Sequence, residues 1–273
     1  MRQWLGMTGR YVIRFAAWPV ACIAIPVVRP AQADDFCAER PGQTTPPCVM
    51  APGRIMVEIA AADWSGQSDA GSRSDLVLYG AGQVRIGLAG NFEAQVGWTP
   101  LGTRRDRDAG SGQVTRTSGQ GDVALGFLFG LTGRNGPVAL QGFVTLPTGG
   151  QALGAGDWGA GMRLPVALDL GEGVQLGLTP ELDAAVNASG EGRHLAYGGA
   201  AGISLAAADK WTLSSDLSLF RDEDPSGAQT RSAAGLSVAW QALPDLQLDA
   251  GGAAGLNHNT PSLRIYLGLA RSF

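Results

Sequence analysis

From Arg54 almost to Phe273 the chain alternates apolar and polar residues with a period of two, and the alternating runs are long. "FEAQVGW" places Phe92, Ala94, Val96 and Trp98 on one side and Glu93, Gln95 and Gly97 on the other. "DVALGFLFGL" groups Val123, Leu125, Phe127, Phe129 and Leu131, and "LRIYLGLARSF" groups Leu263, Ile265, Leu267 and Leu269. This is the pattern of strands with one apolar face. Twelve runs begin near Arg54, Asp75, Phe92, Asp122, Val138, Asp157, Val174, His194, Trp211, Thr230, Leu246 and Leu263. Most span about 9–13 residues, whereas strands of water-soluble sheets usually run about 5–6 and tilted membrane-crossing strands about 9–11. Length therefore selects a barrel in a membrane over a soluble sandwich.

The connections point the same way. Short turns such as "LAGN", "TGRNG", "LGEG", "AAADK" and "ALPD" alternate with longer polar links such as "LGTRRDRDAGSGQVTRTSGQG", "TGGQALGAG", "NASGEGR" and "DEDPSGAQ". Short turns at one rim and long loops at the other define an outer-membrane barrel. The expected fold is all-β: an antiparallel up-and-down transmembrane barrel of about 12 strands with short periplasmic turns and longer extracellular loops.

Residues 1–33 read as a cleaved signal peptide. Arg2, Arg10 and Arg14 form a basic start, "FAAWPVACIAIPVV" an apolar run interrupted by Pro19 and Pro26, and "AQA" a small-residue cleavage site. Removing Arg2, Arg10, Arg14 and Arg29 leaves 16 basic residues against 24 acidic, a net charge of −8. An acidic chain excludes nucleic acid as the partner. Residues 34–53 form a periplasmic N-terminal segment rich in Pro, Gly and Thr, and residues 54–273 the barrel. Cys37 and Cys48, close in sequence in an exported chain, are expected to form a disulfide. The segment either inserts into the barrel as a plug or lies below it.

If the apolar parity faces lipid, the other faces the lumen. That assignment gives Glu58, Arg85, Glu93, Asp122, Arg163, Glu181, Asp183, Asp216, Arg231, Asp249, Arg264 and Tyr266 as lumen-lining residues, with Asp75 and Asp157 also on the inward parity. Charge facing hydrocarbon at the midplane costs about 2–4 kcal/mol, so its placement on one parity argues for the barrel. These side chains either line a polar, acidic-leaning path or brace the barrel through ion pairs. Gly80, Gly82, Gly251 and Gly252 mark points where strand pairing loosens or where the wall curves.

Arg104, Arg105 and Arg107, mixed with Asp106 and Asp108, form either a lipopolysaccharide-binding stretch or a solvated loop. Asp222, Glu223 and Asp224 put three carboxylates in one loop, but their spacing fits no diagnostic cation motif, so no metal and no cofactor is expected.

"GDVALGF", "FVTLPTGG", "GAGDWGAGMRLPVALDL", "QLDAGGAAGLN" and the terminal "YLGLARSF" resemble the MetA-pathway-of-phenol-degradation family, over Gly53 to Phe273. The resemblance implies an outer-membrane barrel of a Gram-negative bacterium that takes up or exports small aromatic or apolar molecules. The functional expectation is a channel or transporter working by passive diffusion, with no enzymatic activity. The alternatives are a structural barrel with a closed lumen and an outer-membrane lipid hydrolase. The hydrolase needs a serine, a histidine and an orienting partner. Only His194 and His258 are present, Ser189 and Ser262 are their nearest serines in sequence, and no G-x-S-x-G elbow occurs. Outer-membrane lipid, lipopolysaccharide, the barrel assembly machinery and a small-molecule substrate are the expected partners. Tyr266, Gly268 and Phe273 match the C-terminal pattern by which barrels address that machinery, whereas Arg271 departs from it.

Overall fold

A computed structural model describes residues 36–69, 71–150 and 152–273. Residues 1–33, read above as a signal peptide, lie outside them. The described chain is all-β and closes into a 12-stave antiparallel barrel with extra strands.

The first stave is β1 (Ile55–Asp69). Its first half pairs with β3 (Ala81–Ala89) and its second with β2 (Ser72–Tyr79). The next staves are also broken into β4 (Phe92–Trp98) and β5 (Leu101–Asp108), then β6 (Val114–Gly119) and β7 (Val123–Gly130). β8 (Ala139–Leu146) follows, then β9 (Gly159–Arg163) and β10 (Val166–Gly171), separated by Leu164 and Pro165. The remaining staves are continuous: β11 (Val174–Val186), β12 (Arg193–Ala208), β13 (Trp211–Asp222), β14 (Gln229–Leu243), β15 (Leu246–Gly255) and β16 (Leu263–Ser272). β16 pairs back onto β1, and Phe273 exchanges two backbone hydrogen bonds with Ile55 at the seam.

The barrel is turned inside out relative to a soluble protein. Leu217 and Leu219 are each 59% exposed and Leu236 69%, while Arg85 and Glu93 are fully buried. Only hydrocarbon outside the wall makes that distribution favourable, because in water it would expose a continuous apolar belt. Stacked Trp211 and Trp240 stand near the short-turn rim. Along one rung at the other end lie Trp98 and Trp158, both exposed outward. Aromatics at two heights mark the two interfaces.

Above that rung the inward parity changes. Gln83 and Arg85 face inward on β3, yet across Gly80, at φ +68°, it is Leu76 and Leu78 that share the face of Asp63 on β2. Thr99–Pro100 and Gln120–Asp122 produce the same change in the next two staves. Asp75 is therefore not a lumen residue. It sits on the outer face, where Arg73 and Arg105 accompany it. Asp157 lies in the loop before β9 and pairs with Arg193. The stretch read as one long link, 101–121, is instead mostly a paired hairpin, β5–β6. Its polar outer face suits a wall that has risen above the bilayer.

Candidate functional site

Residues 36–50 run inside the barrel, and the wall grips them through polar side chains. Glu58 accepts the backbone N–H groups of Glu39 (3.1 Å) and Arg40 (2.9 Å). Glu93 accepts the N–H of Met50 at 2.7 Å, and Thr179 that of Thr45 at 2.8 Å. The Tyr266 hydroxyl accepts the N–H of Gly42 at 3.2 Å, and Gln247 donates to the Arg40 carbonyl at 2.7 Å. The Arg40 side chain makes a paired contact to Asp249 on β15, at 2.8 and 3.2 Å. An irregular segment carries backbone groups that its own conformation leaves unpaired, and these wall side chains satisfy many of them.

Arg85 is the centre of this grip. Its Nε is 2.7 Å from Glu93 Oε1, its Nη1 is 3.2 Å from Glu58 Oε1, and Glu39 of the segment lies 3.5 Å away. Its guanidinium also donates to the carbonyls of Cys37 and Cys48, the two disulfide-bonded residues. One cation thus ties two wall carboxylates to both ends of the disulfide loop. A planar fork with five donors suits this task better than an ammonium.

Above the segment lies a cavity of about 400 Å³, lined among others by Gln43, Arg163, Glu181, Asp183, Phe220, Arg231 and Arg264. Its charges are mostly paired. Arg163 contacts Glu181 at 2.9 Å, Arg264 clasps Asp63, and Arg231 reaches Asp222 at 3.3 Å. Arg163 also stacks over Phe143. Asp183 keeps a buried oxygen without a hydrogen-bond partner.

The loop between β8 and β9 turns over the rim. Asp122 accepts the N–H groups of Gly149 (2.7 Å) and Ala155 (2.8 Å), so it tethers this loop. Leu153 packs on Gly102, where any side chain would collide with it, and beside Leu78. β6 is paired through β5 alone, and the loop covers its other side, with a backbone bond from Gly150 to Gln120.

The twelve lumen residues read from the sequence divide accordingly. Glu58, Arg85, Glu93, Asp216, Asp249 and Tyr266 surround the N-terminal segment. Arg163, Glu181, Asp183, Arg231 and Arg264 line the cavity above it. Asp122 holds a loop. Pattern reading missed Gln83, Gln95, Gln141, Thr179 and Gln247, neutral residues on the inward parity whose alternation was the available signal. His194 faces Asn187 and Asp222. The Arg104–Asp108 stretch lies within β5, and Glu223 turns to Arg221.

Solved structures show the same architecture. An outer membrane channel from Pseudomonas putida F1 superposes with a TM-score of 0.63 at 17% identity, covering 86% of this chain and 99% of that one. The beta domain of the Bordetella autotransporter BrkA gives 0.53 at 16%, covering 82% and 100%. No curated protein sequence matches the chain. The decisive match is of sequence: from Arg40, inside the barrel, to the closing Phe273, residues 40–273 fit one family profile, and the chain belongs to the family described as "Putative MetA-pathway of phenol degradation".

Proposed function

We propose that this protein is an outer-membrane transporter that passes small aromatic or apolar molecules by passive diffusion, by way of the cavity above the N-terminal segment. The observation that carries this reading is the segment itself. With residues 36–50 bonded across the lower lumen, the barrel lacks the wide aqueous bore of a general porin. A cavity of about 400 Å³ with Phe220 on its wall suits a molecule with a ring and one polar group. Leu76, Leu78 and Leu153 add apolar surface above it, next to the side of β6 that only a loop covers. That notch begins at the rung of Trp98 and Trp158, so an apolar solute has a route between the cavity and the outer leaflet.

The remaining features fit export and assembly as an outer-membrane protein: a signal sequence at residues 1–33, recognition of Tyr266, Gly268 and Phe273 by the assembly machinery, and lipopolysaccharide against Arg73, Arg105 and Arg116 on the outer face of the β2–β5–β6 extension. A closed structural barrel is the competing reading, favoured by the many bonds on the segment. Proteoliposomes separate the two. The wild-type barrel is expected to speed the uptake of radiolabelled aromatic solutes over empty vesicles. Equal rates across a broad panel would refute transport and leave the scaffold.

A further inference from the structure

His194 opens β12 and points inward at the extracellular rim, level with the end of β13. Its side chain is only 5% exposed. Both ring nitrogens face oxygen. Nδ1 is 3.0 Å from Asn187 Oδ1 and 3.4 Å from Asp224 Oδ2, and Nε2 is 2.6 Å from Asp222 Oδ1. Despite that short approach, Nε2 makes no hydrogen bond, because the oxygen lies off the direction an N–H would take.

The surroundings settle the tautomer. Asn187 donates its amide nitrogen to the Glu191 carbonyl at 2.8 Å, which turns its oxygen towards the ring. Nδ1 therefore carries the proton and donates it to Asn187. Nε2 is then a buried acceptor that no donor satisfies, beside the carboxylates of Asp222 and Asp224, and a cation bound there would satisfy it.

We infer that His194, Asp222 and Asp224 form a binding site for a divalent transition-metal ion of the zinc class. One ligand atom from each lies within 4.8 Å of the others. One imidazole nitrogen and two carboxylate oxygens suit Zn²⁺, with water completing the shell, and a nitrogen ligand disfavours Ca²⁺ and Mg²⁺. Each ligand has an outer partner that aims it, as metal sites require. Asn187 orients the histidine. Arg231 holds Asp222 Oδ2 at 3.3 Å and leaves Oδ1 for the metal. Asp224 accepts the N–H groups of Ala188 and Ser226, each at 2.7 Å, and the Ser226 hydroxyl.

The ligands come from three pieces of chain at the mouth: the start of β12, the end of β13 and the loop beyond it. The sequence hinted at the carboxylates but not at the histidine, which reaches them only through the β12–β13 pairing. The test is zinc binding to untagged, folded, detergent-solubilised protein, by calorimetry with ZnCl₂ and with CaCl₂ as comparison. Wild type is expected to bind one Zn²⁺ per chain and to ignore Ca²⁺. His194→Ala and Asp222→Asn should each weaken binding at least tenfold, Asn187→Ala by about 10- to 100-fold, and His258→Ala should leave it unchanged. Retained heat-modifiable migration shows that each variant has folded. Absence of zinc binding, or binding that survives His194→Ala in a folded barrel, would overturn the assignment.

Discussion

Replacing Arg85 with methionine should release the N-terminal segment and leave the barrel standing. The guanidinium is fully buried and lies against Glu93, Glu58 and Glu39 at 2.7, 3.2 and 3.5 Å. Methionine fills similar space but strands these carboxylates without their cation. Removing one partner of a buried ion pair costs about 3–5 kcal/mol. The strand ladder does not involve this side chain, so the cost falls on docking of the segment. Converted to an equilibrium, it shifts docking by about 2 to 3.5 decades. Two assays read the outcome. Single-channel conductance in planar bilayers should rise, and protease should cut within 36–50 while the heat-modifiable barrel persists. Adding Glu58→Gln and Glu93→Gln to the methionine variant should partly restore docking, because the orphaned charges are then gone. Unchanged conductance and unchanged protease resistance in a folded Arg85→Met barrel would refute the role given to Arg85.

Three further outcomes follow from the geometry. Cys37→Ser with Cys48→Ser opens a short loop whose closure stabilises by about 2–3 kcal/mol; the variant should fold as a barrel but show frequent conductance fluctuations, read in the same bilayer recordings. Asp122→Ala removes the acceptor for Gly149 and Ala155, and losing charge-assisted bonds of this kind favours loop opening by about tenfold; solute uptake into proteoliposomes should quicken accordingly. Deleting Phe273 removes the residue that bonds to Ile55 at the seam, so folded barrel in the outer membrane should fall, whereas Arg271→Phe, which loses an exposed contact to Asp245 and a cation–π contact to the Phe273 ring but no seam bond, should assemble normally on a heat-modifiability gel.

The barrel was legible because lipid enforces alternation. Wherever hydrocarbon touches the wall, a period of two is obligatory, as along Leu263, Ile265 and Leu267. Where the wall leaves the bilayer, water lies on both sides and the constraint lapses. That is why β5 and β6, with Arg104 to Asp108 and Thr115 to Ser118, read as a loop. The parity change at Gly80 was equally hidden, and it carried Asp75 to the wrong face. The inserted segment has no period at all. Its position is visible only in what binds it, a surplus of buried charge such as Arg85, Glu58 and Glu93 that a merely braced barrel does not need. The His194 cluster depends on antiparallel register between two staves, which a linear reading does not supply.

The same arrangement alters what the acidic lumen means for ions. Read from sequence, an excess of carboxylates implies mild cation preference. In the structure Glu58, Glu93 and Asp249 are engaged by Arg85, Arg40 and backbone N–H groups, so little of their charge reaches the lumen. Above the segment, Arg163, Arg231 and Arg264 each offset a carboxylate. The intact protein should therefore conduct ions weakly and with little selectivity. The segment itself carries Glu39 and Arg40, a balanced pair. Deleting residues 36–50 leaves Glu58, Glu93, Asp216 and Asp249 around a single Arg85, a net negative ring facing open water. Reversal potentials across a KCl gradient should then move from near zero to a clearly cation-selective value, together with the rise in conductance. A wider pore that stays unselective would show that these carboxylates are not the charges held silent by the segment.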